Sequence, residues 1–188
     1  MTFESKLVPP VVIVLVVEHS DTCRDEVLEG IAGQDYENLQ VVVLHRDQSS
    51  IEQQVKSVLP GALVKEVSAS NNFGEAANQI EKLTNGASFY LFLDDGTALA
   101  SDLLSVLVAE ALESNAGILG PKVLDWDDPS RITSMGLLVD AFGVETAFVE
   151  AGELDQQQHD RVREAFTVTG EAVLVRSDLF ETLGGFDP

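Results

Sequence analysis

The residues with most chemistry to offer stand at Asp94-Asp95, where a continuous apolar run, Phe89-Tyr90-Leu91-Phe92-Leu93, runs into a turn at Gly96. Two carboxylates in such a place can hold a hard divalent cation through oxygen ligands, and that cation can bridge to substrate phosphates. A solvated turn that caps the next helix is the plainer reading of a lone Asp-Asp-Gly. A second constellation is Ser70-Asn71-Asn72-Phe73-Gly74-Glu75-Ala76-Ala77-Asn78. It opens a helix in which Gly74 permits close approach and Asn78 lies one turn on. The alternative there is an Asn cap followed by small residues that pack helix on sheet. Cys23 falls near a helix start, where a thiol pKa can drop, but an inert helix residue is the simpler reading. His159 sits among Gln and Asp and reads as a solvated surface imidazole.

The elements that must position these residues follow from hydrophobic patterning. Val11–Val17 is VVIVLVV after Pro9-Pro10, a buried strand of the kind found in parallel sheets. Asp21 or Thr22 is placed to cap a helix to Gly33, with Val27, Leu28 and Ile31 inward. Strands are expected over 39–44, 63–67, 88–93 and from 117, with helices over 51–59, 73–83 and from Ser101 or Asp102. Strand and helix thus alternate over the first 120 residues, which makes a parallel sheet covered on both faces. Ligands bind such sheets beyond the carboxyl ends of the strands. Those ends carry Glu18-His19, His45-Arg46-Asp47, Ser68–Asn72 and Asp94-Asp95. After residue 120 short apolar pieces (135–139, 146–149, 173–175) alternate with Gly and acidic turns, and 155–165 reads as a short polar helix. This half is expected to be mixed α+β and continuous with the first sheet. Residues 177–183 should form a last short helix.

Composition narrows the classes. The 188 residues are 45% hydrophobic and 23% charged, a globular balance. Lys plus Arg number 11 against 32 Asp plus Glu, a formal charge of −21. Bare nucleic acid and anionic membrane surfaces are poor partners for such a chain. The single cysteine excludes an internal disulfide. The longest apolar run, Leu7 to Val17, holds two prolines and falls short of the about 20 residues a membrane span takes. No transmembrane segment or secretory signal is expected within the chain, which places these residues on the cytoplasmic side.

In order along the chain, six landmarks are similar to the nucleotide-sugar half of family 2 glycosyltransferases, the GT-A fold. Ala32-Gly33-Gln34-Asp35-Tyr36-Glu37-Asn38 resembles that family's AQTYPN-like link. The polar, Ser-rich loop His45–Ser50 comes next, then Phe73, Gly74, Ala76 and Asn78 of an N-x-G-F-G-x-A-x-N segment. Leu91-Phe92-Leu93-Asp94-Asp95-Gly96 resembles LFLDDD, Gly120 to Asp125 is GPKVLD, and Leu174–Asp187 matches LVRRDVFEELGGFD. Trp126-Asp127-Asp128-Pro129, and Gly152-Glu153-Leu154-Asp155 through His159-Asp160, look like the N-terminal domain of long actinobacterial membrane members. Trp126 either stacks on a sugar ring or anchors its loop.

The resemblance implies a single GT-A-like α/β domain over 1–188, Rossmann-like, with a mostly parallel central sheet, helices on both faces and a mixed β extension. Residues 1–120 would be the nucleotide-sugar-binding half and 121–188 the start of an acceptor half. It implies an inverting transferase that passes a sugar from a nucleotide diphosphate-sugar to a glycan or lipid-linked acceptor of the cell envelope. The full-length protein would sit in the plasma membrane. Donor contacts would come from Glu18, His19, His45, Asp47, Gly74, Asn78 and Asp94. A weakly bound Mg or Mn would rest on Asp95, with Asp94 beside it. This chain departs from the pattern at three places. His45 stands where the family has a base-contacting Asp, with Asp47 two residues on. Gly96 replaces the last acid of the Asp-x-Asp triplet. Val17-Glu18-His19 replaces a Pro-Thr-Tyr-like run. The family's general base follows GGFD, so here it would lie beyond Pro188, and these residues alone should not transfer sugar. Those departures favour, as the alternative, a non-catalytic GT-A-like interaction module. A nucleotidyltransferase ranks third: it shares the fold and the acidic pair, but Glu18-His19-Ser20-Asp21 lacks the Gly and Lys of its phosphate loop.

Overall fold

The computed structural model describes residues 8–18, 23–46, 49–68, 72–168 and 170–187. In chain order its elements are β1 (Val11–Val17), α1 (Asp25–Ala32), β2 (Leu39–Arg46), α2 (Ser49–Val58), β3 (Leu63–Val67), α3 (Phe73–Ala77), α4 (Ile80–Leu83), β4 (Phe89–Asp94) and α5 (Leu103–Ser114). Then come β5 (Ile118–Leu119), β6 (Val123–Leu124), β7 (Arg131–Ser134), β8 (Leu137–Val139), β9 (Glu145–Ala147), β10 (Glu153–Leu154), β11 (Ala172–Arg176) and α6 (Ser177–Leu183).

Among the described residues the main sheet runs β3-β2-β1-β4-β11-β5. β1 pairs in parallel with β2 and β4, and β2 with β3. β11 enters antiparallel between β4 and β5. Every residue of β1 is buried because both faces are covered. Val11, Ile13, Leu15 and Val17 meet α1, α2 and α5 through Leu28, Ile51, Val55 and Leu104. Val12, Val14 and Val16 meet the other layer through Ala76, Ala77, Ile80 and Phe180. The later half divides: β11 and β5 extend the main sheet, while β10-β7-β6 and β8-β9 form two small sheets of their own.

Several expectations needed correction. The helix expected over 73–83 breaks into α3 and α4 at Asn78-Gln79. The Gln79 N–H bonds to Ala76 O, three residues back, and this tighter turn interrupts the α-helical ladder. α1 begins at Asp25, with Arg24 in the cap position and no side-chain cap bond. Asp21 and Thr22 lie outside the described residues. Residues 155–165 do not form a helix. Polar side chains there bond neighbouring main chain instead, Asp155 Oδ1 taking the Gln157 N–H and Gln158 Oε1 the Gln156 N–H. Such local bonds compete with a helix that has no apolar stripe to bury. Asp102 opens α5 without a side-chain cap bond. Gln34 does that work from a distance: its Oε1 accepts the Leu104 N–H, and its Nε2 donates to Gly30 O and Ala100 O.

Candidate functional site at the carboxyl edge of the sheet

The parallel register brings the strand ends level. Val16 pairs with Asp94, Val17 with His45, and Arg46 with Val67. Glu18, His45, Arg46, Asp94 and Asp95 therefore share one edge, the edge at which β11 begins with Glu171 just before it. His19 and Asp47 lie outside the described residues.

Asp95 is tied to β1. Its Oδ2 accepts the Glu18 N–H at 3.1 Å, which closes the end of that strand and fixes one carboxylate oxygen. The Glu18 side chain is ion-paired with Arg46 at 2.7 Å, both groups being largely buried. Asp94 Oδ1 accepts the Gly96 N–H at 3.1 Å, so the glycine that replaces a third acid serves as a donor. The Asp94 N–H donates to Glu171 O. Burial raises the Asp94 carboxyl pKa above the usual carboxylate range. Hydrogen bonds from Thr97 and Gly96 oppose the rise, and the charges of Glu171 and Asp95 add to it. Glu171 thus belongs to the acidic edge. It was not legible beforehand, because only the antiparallel insertion of β11 brings it there.

His45 is 7% exposed, and its Nδ1 is buried with no hydrogen-bond partner among the described residues. It lies on the α1–α2 face of β2, as does Cys23, whose main chain is clasped by Gln54. The Cys23 N–H donates to Gln54 Oε1 at 3.0 Å, and Gln54 Nε2 donates to Cys23 O at 2.7 Å. Burial, with Asp95's charge adding, pushes the Cys23 thiol up to about 12. Cys23 is a packed, un-ionised thiol, but it lies two residues before α1 and not within the helix.

Gly74 and Asn78 are placed otherwise than as open ligand contacts. Asn78 Oδ1 accepts the Phe186 N–H at 2.8 Å, and its Nδ2 donates to Phe186 O at 2.9 Å. A Cβ at Gly74 would stand 3.0 Å from Phe186 Cβ and 3.2 Å from Asp187 O. Both residues are occupied in seating the Gly184–Asp187 segment on α3. Asn72 caps α3 in a reciprocal box with Glu75.

His159 is not a free surface imidazole: its Nε2 meets Glu153 Oε1 at 2.9 Å, and the ring is mostly covered. Lys122 bridges Asp155 and Asp160, each at 2.7 Å, and pins the same loop. Trp126 lies under the Arg24 guanidinium, 4.4 Å from its ring centroid. Among the described residues no group of three or more His, Cys, Asp or Glu is gathered as a metal cage. No described helix is long and apolar enough to cross a membrane. A hollow of about 500 Å³ opens at the opposite, amino edge, by Tyr36, Gln40, Leu59 and Leu63. Its wall holds one carboxylate, Glu37, and no Lys or Arg.

No protein-family model and no curated protein matches the chain. Solved structures do. S. aureus TarS 1-349 in complex with UDP superposes with TM-score 0.61 at 20% identity, over 95% of this chain and 50% of that one. The mannosyltransferase PcManGT from Pyrobaculum calidifontis, in complex with GDP-Man and Mn²⁺, gives 0.60 at 18%, over 95% and 48%. The 4-diphosphocytidyl-2C-methyl-D-erythritolsynthase of Anaerococcus prevotii gives 0.50 at 11%, over 93% and 75%. The chain spans about half the length of TarS 1-349 and of PcManGT. With its parallel sheet, its antiparallel insertion and its acidic carboxyl edge, the chain has the GT-A glycosyltransferase fold.

Proposed function

We propose that residues 1–188 are the donor-binding portion of an inverting glycosyltransferase of family 2 type. They hold a nucleotide diphosphate-sugar beyond the carboxyl ends of β1, β2 and β4. The observation that carries this reading is the assembly of Glu18, Arg46, Asp94 and Asp95 on that edge of a GT-A sheet. Support comes from neighbours of the same fold crystallised with UDP, UDP-GlcNAc, or GDP-Man and Mn²⁺.

The donor set fits a divalent cation. Magnesium is commonly held by one or two carboxylates together with substrate phosphates, rather than by a full protein cage. Asp95 and Asp94 are two such carboxylates, consecutive in sequence at one strand end. A bound Mg²⁺ or Mn²⁺ would act as a Lewis acid, offsetting charge on the leaving diphosphate. Asp95 is steadied for this by the Glu18 N–H, and Asp94 by Gly96 and Thr97. His45 stands at the base-recognising position in place of an acid, and offers a ring nitrogen that can donate or accept. The sugar would pass to a cell-envelope glycan or lipid-linked glycan at the cytoplasmic face of the plasma membrane.

A second reading, a non-catalytic interaction module, is favoured by the Glu18–Arg46 pair, which already neutralises a cation that could meet a diphosphate. Calorimetry decides between the two. The 188-residue chain is titrated with UDP-, GDP- and TDP-sugars in Mn²⁺ and in EDTA, alongside Asp95→Asn. Mn²⁺-dependent binding that Asp95→Asn weakens fits the donor site. No binding to any of them favours the interaction module.

A further inference from the structure

We propose that Trp126, held by Arg24, is the surface on which the sugar ring of the donor rests; this rests on the donor-binding reading above. Trp126 is 39% exposed, and one face of its ring is covered by the Arg24 guanidinium. Arg24 directly precedes α1, which leaves the carboxyl end of β1. The ring therefore stands at the carboxyl edge of the sheet, the edge that carries Asp94 and Asp95.

The loop that carries it is rigid. Asp125 Oδ1 accepts the N–H groups of Asp127 and Asp128 at 3.0 and 2.9 Å. Main-chain bonds run from Asp125 N–H to Arg131 O and from Arg131 N–H to Asp128 O, each 2.9 Å. The Asp128 carboxylate accepts from Ser130 Oγ at 2.6 Å and Arg131 Nε at 3.0 Å. An indole presented by so well-bonded a loop needs little ordering on contact with a ligand.

The surroundings select the ligand. Trp126 is flanked by Asp125 and by Asp127, and Asp127's carboxylate makes no hydrogen bond or ion pair among the described residues. Carboxylates carried by the same loop repel a diphosphate but accept from hydroxyl groups. A pyranose or furanose offers both complements: C–H groups for the ring and O–H donors for the acids. The acid pair at β4 takes the diphosphate side of the donor, and the ring on the same edge takes the sugar that the diphosphate carries.

Trp126 is the only tryptophan in the chain, so its emission reports this ring alone. The test titrates the 188-residue protein, in Mn²⁺, with UDP, GDP and TDP and with UDP-GlcNAc, GDP-mannose and TDP-glucose. At least one sugar nucleotide should shift or quench the emission where its bare diphosphate leaves it nearly unchanged. Trp126→Ala should weaken that sugar nucleotide about tenfold, equivalent to about 1.4 kcal/mol. The bare diphosphate should be unaffected, and Trp126→Phe should keep most of the affinity. Arg24→Ala should move the emission of the free protein and weaken the sugar nucleotide several-fold, with Arg24→Lys restoring part. If sugar nucleotides bind but neither the emission nor Trp126→Ala distinguishes them from bare diphosphates, the proposal is overturned and the donor site stands. Equal response to bare diphosphates would assign the ring to the nucleotide and also overturn it. If no nucleotide of any kind binds, the donor site falls and the proposal with it.

Discussion

Replacing Asn78 by Ala separates two roles that a carboxamide at this position can have. In the structure both ends of the Asn78 side chain are engaged by the main chain of Phe186, 108 residues away in sequence. Each such bond contributes a net stability of about 0.5–1.5 kcal/mol. Their loss also leaves a part-buried N–H and C=O at Phe186, and loosens a ring packed edge-on to Phe92 at 4.8 Å and to Phe180 at 5.5 Å. Asn78→Ala should therefore cost about 2–3 kcal/mol. For a domain of this size that lowers Tm by roughly 4–12 °C, at about 2–4 °C per kcal/mol. Asn78→Asp should cost less: a carboxylate can still accept the Phe186 N–H but cannot donate to its carbonyl. The assay is urea or thermal unfolding followed by circular dichroism, paired with calorimetric titration of UDP and GDP in Mn²⁺. Stability should fall while nucleotide affinity per folded molecule stays within about twofold, less than about 0.4 kcal/mol. A variant that unfolds like the parent but loses tenfold or more in nucleotide affinity would refute this reasoning, and make Asn78 a ligand contact as the family resemblance implied.

Other outcomes follow from the same geometry. Gly185 has φ +86°, and a Cβ there would collide with Asn78 Oδ1; Gly185→Ala should destabilise by roughly 1–3 kcal/mol, less in an Asn78→Ala background. Cys23 should be unreactive toward a disulfide reagent at pH 8 in the native protein and fully reactive in urea. Its folded pKa of about 12 lies above the unfolded value of 9.0, so its stabilising contribution is present below pH 9 and lost as pH rises toward 12. Reaction as fast as that of a free thiol would contradict this packing. Asp94's raised pKa has the same sign: the folded state holds its proton more tightly, so the ionised form costs stability at neutral pH. Asp94→Asn should raise the urea midpoint at pH 7, with the gain fading as pH falls below the carboxylate range; a lower midpoint at pH 7 would count against it. Asp95→Ala should be less stable than Asp95→Asn, because only the amide keeps an acceptor for the Glu18 N–H.

The parallel core was legible because its central strands are continuous apolar runs, β-branched in Val11–Val17 and rich in aromatics and Leu in Phe89–Asp94. The last helix, Ser177–Leu183, falls on its expected bounds, and the αL glycine Gly184 ends it. The course of residues 155–165 is not legible in the sequence, because a polar stretch has no periodicity to follow and is set by distant partners such as Lys122. The split of α3 from α4 was hidden for a related reason. Asn78 satisfies a main chain 108 residues on, which no local window contains. At the site, Asp94, Asp95, Glu18 and His45 could be placed on one edge by topology alone. The Glu18–Arg46 pair and the approach of Glu171 could not, since both need strand register.

The residues that make the family resemblance visible are, for the most part, architectural. Gln34 stitches the end of α1 to the start of α5, the Tyr36 hydroxyl donates to Pro9 O, and Asn38 Nδ2 donates to Val8 O. Gly74, Asn78 and Gly185 seat the Phe186 ring among Phe73, Phe92 and Phe180. None of these needs a ligand to explain it. Of the positions that would touch a ligand, Asp94 and Asp95 keep the family's acids, while His45 and Gly96 each stand where the resemblance puts an acid, and Arg46 is bound to Glu18. Packing and main-chain hydrogen bonds therefore hold the GT-A frame whatever the edge does. The two readings of function share one fold and one stability, and they part only at Asp95 and Trp126. A variant there that leaves unfolding unchanged but alters ligand response speaks to function, and a change in stability anywhere else does not.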